Sequence, residues 1–369
     1  MFLWWQWYGT KWIWLCGACT MIYLKPYTLA HKTLWNAFNA DSKNGLFLFD
    51  RDYMDYHSDR FKDNSLLFYE EDKLLALLPL NITDNVLYSH QGLTFGGFIT
   101  GRTMKQEKML ECFTLLRTFM QEQGISKLIY KAIPYIYHKI PSQEDLYALF
   151  VNNAQLFRVD CSSSIALPHP IALPKGRKSQ ITRAKRENVQ INQSQDFAAF
   201  VTLLNEVLQS RHQSKAVHSA EELALLSKRF PEQIKLFVAH QAQTLLAGAL
   251  VFVYPHLIHT QYLAVNDKGR EIGALDLLLK TLIDTYAQSK TYFDFGISTE
   301  SNGTFLNTGL ISQKEGFGGR TITHQFYELL SSGGGGIIPY LLFPFLLFYS
   351  FISLLFYCGI ANATTMRRG

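Results

Sequence analysis

FDFGISTESNGTFLNTGLISQKEGFGGR, residues 293–320, is the stretch on which the reading of the fold turns. It opens as an aromatic strand carrying one carboxylate, Asp294. A carboxylate in such a strand either meets a donor or titrates high. Glycines 309, 316, 318 and 319 then gather around Lys314. Glycine lets a backbone approach a ligand closely, and lysine offers a point charge to phosphate or carboxylate. A twisted hairpin whose glycines only make turns fits the same residues, and the residues alone leave both readings open. FDFG matches the kinase DFG triplet, but no HRD loop and no glycine-rich nucleotide loop accompany it, which excludes a kinase.

Around this stretch, helical and strand periods alternate. Met109, Phe113, Leu116 and Met120 form one helical stripe, closed by Gly124. Phe197, Phe200, Val201, Leu204 and Leu208 form a second, and Leu275, Leu278, Leu279, Leu282 and Tyr286 another. Ser219-Ala220-Glu221-Glu222 has the form of a capping box opening a short helix before Pro231. Strands are predicted at 65–69, 74–80, 127–132, 234–239, 245–254, 257–264 and 291–295. Mixed strands and helices predict an α/β protein with a mixed sheet. There is also an internal echo: SLLFY (65–69) and KLLALL (73–78) match IKLFV (234–238) and TLLAGAL (244–250). Each pair reads as a hairpin followed by a polar strand, YSHQGL (88–93) or HTQYL (259–263), as duplication of one unit would give.

Composition narrows the class. The chain has 369 residues, 48% of them apolar and 18% charged, which supports two domains with packed cores. A net charge of +5 is too small to imply nucleic acid. The five cysteines, Cys16, Cys19, Cys112, Cys161 and Cys358, are scattered and suggest no disulfide framework, which fits a reducing compartment. Cys16 and Cys19 form a CxxC without a redox or zinc context. No HExxH spacing or cysteine–histidine cluster is present, so no metal is expected.

The two ends differ from the middle. Residues 1–20 hold five of the six tryptophans and read as an N-terminal extension before a start at Met21, or as an interfacial anchor. After Gly333–Gly336 the run 337–361 has no charged residue. The tail 331–369 therefore reads either as a glycine linker and membrane-spanning helix or as a frame-shifted end.

Lys314-Glu315-Gly316-Phe317-Gly318-Gly319, following a strand that ends in FDFG, resembles the C-terminal motif of the FemAB-like acyltransferases of the GNAT superfamily, which include the BioF2-like acetyltransferases. SKNGLFLFDRDYMDYHSDRF (42–61), YSHQGLTFGGF (88–98), RKSQITRAKRENV (177–189), RHQSKAVHS (211–219) and HTQY (259–262) match as well. The resemblance covers roughly 21–330. It implies two tandem GNAT-like domains with mixed sheets, at 21–155 and 156–330, with a substrate channel between them. It further implies transfer of an acyl group from acetyl-CoA, or another acyl-CoA, to an amine such as an amino sugar or cell-envelope precursor, in the cytoplasm. A nucleotide-linked sugar is one such acceptor. The rivals are an aminoacyl-tRNA-dependent ligase and a non-catalytic binding protein anchored in the membrane through 337–361. GNAT enzymes cradle the pyrophosphate with R/QxxGxG/A at a helix N-terminus. Here Arg270 and Gly273 are kept, but Leu275 stands last.

Amide formation needs a base for the amine, a role histidine suits. His259 with Asp294 is the expected catalytic pair. Gln261 shares the His259 strand face by period two, and His90 holds the comparable place in the first half. Lys314 and Arg211 are expected to bind anions, with His212, Gln261, Tyr262, Arg270 and Gly273 as further substrate or cofactor contacts. The basic segment from Lys175 to Arg186 reads as a diphosphate contact or as a solvated helix face, with Arg60 as a similar candidate from the first half.

Overall fold

The hairpin echo is the clearest place where sequence becomes structure. In the computed structural model, β2 (Leu66–Glu70) turns into β3 (Lys73–Leu78), and β10 (Ile234–Gln241) into β11 (Thr244–Val253). Each turn carries a residue in the left-handed region, Glu71 at φ 53° and Ala242 at φ 52°. Each hairpin also carries a bulge at the same place: Leu75 is the extra residue in the first, Leu246 in the second. Both sit in the matching tetrapeptides KLLA and TLLA, so a shared irregularity accompanies the shared sequence.

The structure describes residues 21–212 and 215–332, with a strand pair Trp5–Tyr8 and Lys11–Trp14; of Arg211, His212 and that pair only the backbone is described. The rest of the tryptophan-rich segment, the Cys16–Cys19 pair and the tail 333–369 lie outside the described residues. No helix among the described residues is long and apolar enough to cross a membrane.

Two sheets organise the chain. The smaller has the order β1-β2-β3-β6, with β1 at Ile22–Pro26 and β6 at Ile99–Thr100. The larger has ten strands. Besides β10 and β11 it contains β4 (Asn81–Thr83), β5 (Val86–Tyr88), β7 (Lys127–Lys131), β8 (Gln155–Ala166), β9 (Gln190–Ser194), β12 (Leu257–Val265), β13 (Tyr292–Ile297) and β14 (Arg320–Leu330). Its order is β9-β10-β11-β12-β13-β8-β14-β7-β5-β4. The last strand, β14, inserts between β8 and β7, so strands from early and late sequence lie in one surface.

Helices cover the sheets where the periods require. The principal ones are α1 (Lys32–Asp41), α2 (Gln106–Glu122), α3 (Glu144–Val151), α4 (Lys175–Arg186), α5 (Phe197–His212), α6 (Ala220–Arg229), α7 (Ala274–Tyr286) and α8 (Thr308–Glu315). The α2 stripe Met109, Phe113, Leu116 and Met120 is fully buried against Phe98 and Tyr130, and Gly124 stops it at φ 66°. Ser219 and Glu222 close the capping box of α6 at 2.8 and 3.2 Å, worth about 1 kcal/mol. The α7 stripe packs on β11 and β13 through Leu278, Leu282 and Phe293.

One expectation fails. YSHQGL is not a strand: β5 ends at Tyr88, and His90 sits in a loop at φ 70°. The partner of β3 is β6, eleven residues beyond Tyr88. The apolar-polar alternation at 88–93 mimics a strand, but Gly92 packs under His57 and Phe61, where a Cβ would clash at 2.5 Å, and the chain turns.

Candidate active site

β12 and β13 run parallel for three residue pairs only, ending at His259↔Asp294. Beyond that the strands part. Gln261 is the unpaired extra residue of a bulge against β11, so Thr260, Gln261 and Tyr262 no longer alternate as a regular strand would. Gly296 adopts φ 74°, and a Cβ there would press on His259 Cε1 at 3.2 Å. The glycine thus lets the backbone turn close beside the imidazole.

At the last paired step lies a buried polar network. His259 Nδ1 is 2.7 Å from Asp294 Oδ2. The Tyr137 hydroxyl donates to the same oxygen at 2.8 Å and also lies 3.0 Å from His259 Nδ1. Ser162 donates to Asp294 Oδ1 at 2.9 Å, and the Gly296 amide donates to Oδ2 at 3.2 Å. An ionised carboxylate only accepts, so Nδ1 carries the proton and Nε2 keeps a lone pair. Burial alone would raise the Asp294 carboxyl. The hydrogen bonds of His259 and Tyr137, with the electrostatic pull of the His259 and His324 rings, outweigh it and hold the carboxyl below its ordinary value. The demand that Asp294 meet a donor is therefore satisfied several times over.

Two cavities flank this network. The first, about 630 Å³, is lined by His259, Thr260, Gln261, Phe295 and Gly296 at one end, by Asp160 and His324 between, and by Arg158, Lys131 and Tyr88 at the other. The second, about 520 Å³, is lined by Gln261, Tyr262, Arg177, Arg270, Leu275 and Lys314 among others. Both have the size of small-molecule sites. They share Thr260, Gln261 and Phe295, where the strands part. The Thr260 hydroxyl and His324 Nε2 are buried without a protein partner. Burial pushes His324 down to about 4, so it is neutral at physiological pH.

Lys314 stands in α8 beside the end of β13. Its ammonium donates to the carbonyls of Gly296 at 2.8 Å and Ile297 at 2.6 Å. It is 4% exposed, and burial pushes its pKa down to about 8, against the pull of Asp294. The glycine-rich stretch thus folds back beside the aspartate strand, with the lysine both capping main-chain carbonyls and lining the second cavity.

Gln261 lines both cavities, and Tyr262 lines the second while its hydroxyl meets His218 Nδ1 at 2.7 Å. Arg270 lines the second cavity from the short helix Asp267–Ile272. Gly273, at φ 79°, is the N-cap of α7, and a Cβ there would meet the Gln180 carbonyl at 2.5 Å. Leu275 and Asp276 occupy the first turn of α7, where Asp276 is ion-paired with Arg177. His90 lies apart, its ring 5.3 Å from that of His57, and lines neither cavity. The side chains of Arg211 and His212 lie outside the described residues. Arg60 pairs with Glu222 at 2.7 Å. Among the described residues no group of three or more acidic, histidine or cysteine side chains is placed to hold a metal.

Sequence reasoning passed over Tyr137, Ser162, Thr260, His324, Lys131 and Arg158. For those on strands the signal was polarity at inward positions: Arg158, Asp160 and Ser162 alternate along β8, and His324 alternates with Phe326 on β14; Tyr137, in the short turn Tyr135–Tyr137, carried no such signal.

The acetyltransferase (GNAT) domain family matches residues 175–302. No curated protein matches the chain significantly. Among solved structures, FemX aligns with TM-score 0.62 and 10% identity over 84% of this chain and 97% of its own. A conserved protein of unknown function from Bacteroides thetaiotaomicron aligns with TM-score 0.53 and 11% identity, over 84% of this chain and all of its own (100%). L-PGS from Bacillus licheniformis aligns with TM-score 0.52 and 14% identity, over 74% and 85%. At these identities the likeness is one of fold. Residues 175–302 thus match the acetyltransferase (GNAT) domain family, and the fold over most of the chain is like that of FemX.

Proposed function

We propose that the protein, as two GNAT-like halves (21–155 and 156–330), transfers an acyl group from acetyl-CoA or another acyl-CoA onto an amine. The observation that carries this is the shared wall of Thr260, Gln261 and Phe295 between two cavities, beside His259 and Asp294. A transferase with two substrates needs such a junction, where both are held in attacking geometry. The donor enters the second cavity, its phosphates toward Arg270 and the start of α7, where backbone amides and the helix dipole favour anions. Leu275 and Asp276 narrow that cradle, and Arg177 neutralises the aspartate. The acceptor enters the first cavity. His259 Nε2 takes a proton from the ammonium, with Asp294 fixing the tautomer. The amine nitrogen then attacks the carbonyl carbon, the carbon–sulfur bond breaks, and the leaving thiolate takes the nitrogen's second proton as the amide forms. A cytoplasmic location follows from such a donor.

The test is mass spectrometry of the full chain with labelled acetyl-CoA and a panel of amines, including amino sugars and nucleotide-linked sugars. A mass-shifted amine supports the reading. Donor binding without product for any amine sinks it in favour of a binding protein.

A second reading, an aminoacyl-tRNA donor, draws on α4. Arg177 and Arg183 are ion-paired, whereas Lys175, Lys178, Lys185 and Arg186 form no ion pair among the described residues. Activity abolished by RNase would select it.

A further inference from the structure

The polarity of helix α3 is reversed. Its two carboxylates face inward: Glu144 is ion-paired with the buried Lys43, and the buried Asp145 accepts from the Tyr130 hydroxyl at 2.6 Å. Tyr147, Phe150 and Val151, spaced i, i+3 and i+4, face outward instead. Phe150 is 76% exposed and Tyr147 51%. A helix at a water-facing surface ordinarily turns its charges outward and its apolar stripe to the core. Here Ala148 and Leu149 already make the core contact, so the outer stripe is a second apolar face.

That face continues past the turn at 152–154. Leu156 of β8 pairs with Tyr327 of β14, and Val159 with Gln325. Directly opposed residues share a sheet face, and Tyr327 packs on the same core as Ala148 and Leu149. Leu156 and Val159 therefore lie on the α3 side of the sheet, and both are exposed. The single charged residue in 147–159 is Arg158, which is turned to the opposite side, over the Phe326 ring at 4.4 Å. None of the five apolar residues lines either cavity. A contiguous uncharged patch of this kind marks an interaction surface.

The partner is indicated by where the chain leaves the fold. β14 ends at Leu330, just beyond Tyr327. Ser331 is tied there, its amide donating to Ser126 at 3.0 Å and its carbonyl accepting from Gln121 at 2.8 Å. In sequence, Gly333–Gly336 follow, and then 337–361, uncharged throughout and rich in leucine and phenylalanine. Such a run is driven out of water into an apolar medium. The chain from Ser332 to Ile337 spans at most roughly 18 Å, at about 3.5 Å per residue. A hydrocarbon phase that takes up the run is thus within that reach of the end of β14.

We infer that the face formed by Tyr147, Phe150, Val151, Leu156 and Val159 docks on a lipid bilayer. Phe150 and the aliphatic side chains enter the boundary between headgroups and acyl chains, and the Tyr147 hydroxyl stays at headgroup level. With no cation in the face, binding draws on apolar burial, and neutral lipid suffices.

The test uses the full chain, without substrates, and vesicles of phosphatidylcholine containing a trace of phosphatidylcholine with a photoreactive acyl chain. The vesicles are floated and irradiated, and lipid adducts are mapped by peptide mass spectrometry. Residues 147–159 are expected to carry adducts at least tenfold more often than the segments around Val217 and Leu225, which are exposed apolar residues elsewhere. In Tyr147→Asp/Phe150→Asp, changed only at exposed positions, melting is expected to stay the same and the adduct yield over 151–159 to fall at least tenfold. Failure of the unmodified chain to float overturns the inference, as do adducts confined to 333–369 or equal labelling around Val217 and Leu225. So does an undiminished yield in the folded double variant. A dimer in sedimentation that the double variant dissolves, with no adducts on 147–159, assigns the face to a second copy of the chain and also overturns it.

Discussion

The Tyr137 hydroxyl, from the first half of the chain, donates at 2.8 Å to the Asp294 carboxylate, 157 residues away in the second. The hydrogen-bonded network around His259 and Asp294, the proposed catalytic pair, is therefore not complete within the GNAT domain matched at 175–302. A side chain from outside that domain takes part in orienting the carboxylate and, through it, the imidazole.

Tyr137→Phe removes that donor and keeps the ring. Asp294 retains Ser162, Gly296 and His259, so the protein is expected to fold, less stable by about 1–3 kcal/mol. The imidazole loses part of its positioning, and kcat is expected to fall roughly tenfold with the acceptor KM nearly unchanged. Denaturant melts and steady-state kinetics read the two effects separately.

At Lys314 an effect on both stability and donor binding is expected. Lys314→Met leaves the Gly296 and Ile297 carbonyls without their donor and is expected to cost about 1–3 kcal/mol. Because the side chain also lines the second cavity, the donor KM is expected to rise by about tenfold, a loss of about 1.4 kcal/mol. Lys314→Met with unchanged melting would show that the carbonyl contacts contribute nothing. An unchanged donor KM would remove the lysine from the donor site.

Acid should destabilise the fold before it protonates ordinary carboxylates. His90, His138 and His324 are pushed by burial to about 3, 4 and 4. Between these values and the unfolded value near 6.5 the unfolded chain binds more protons, so stability falls as pH drops from about 6.5 toward 4. Each group contributes a slope of about 1.4 kcal/mol per pH unit in its window. Asp145, raised to about 6 by burial, has the opposite sign and offsets one histidine from about pH 6 to 4. Urea melts across pH 4.5–7 should show a net loss toward acid, and His324→Gln should flatten it.

Local patterns carried much of this in the sequence. The helical stripes, the Ser219 capping box and the two hairpins follow from periods and caps spanning a few residues, and all are present. Asp294 was legible too, since a carboxylate within FDFG demands partners. The partners were not. Tyr137 and Ser162 reach Asp294 through the placement of β8 beside β13, and Lys131 reaches Arg158 because β14 inserts between β7 and β8. No local period encodes such long-range register. The strand expected at 88–93 failed for a local reason: the left-handed backbone of His90 broke an alternation that otherwise looked like a strand.

The most direct test of the account is His259→Gln under single-turnover conditions with labelled acetyl-CoA and whichever amine the unmodified protein acylates. If His259 Nε2 accepts the amine's proton, donor affinity stays within about twofold while the acyl-transfer rate falls on the order of a hundredfold or more. Transfer at an undiminished rate, with the variant folded and donor bound, would contradict the account.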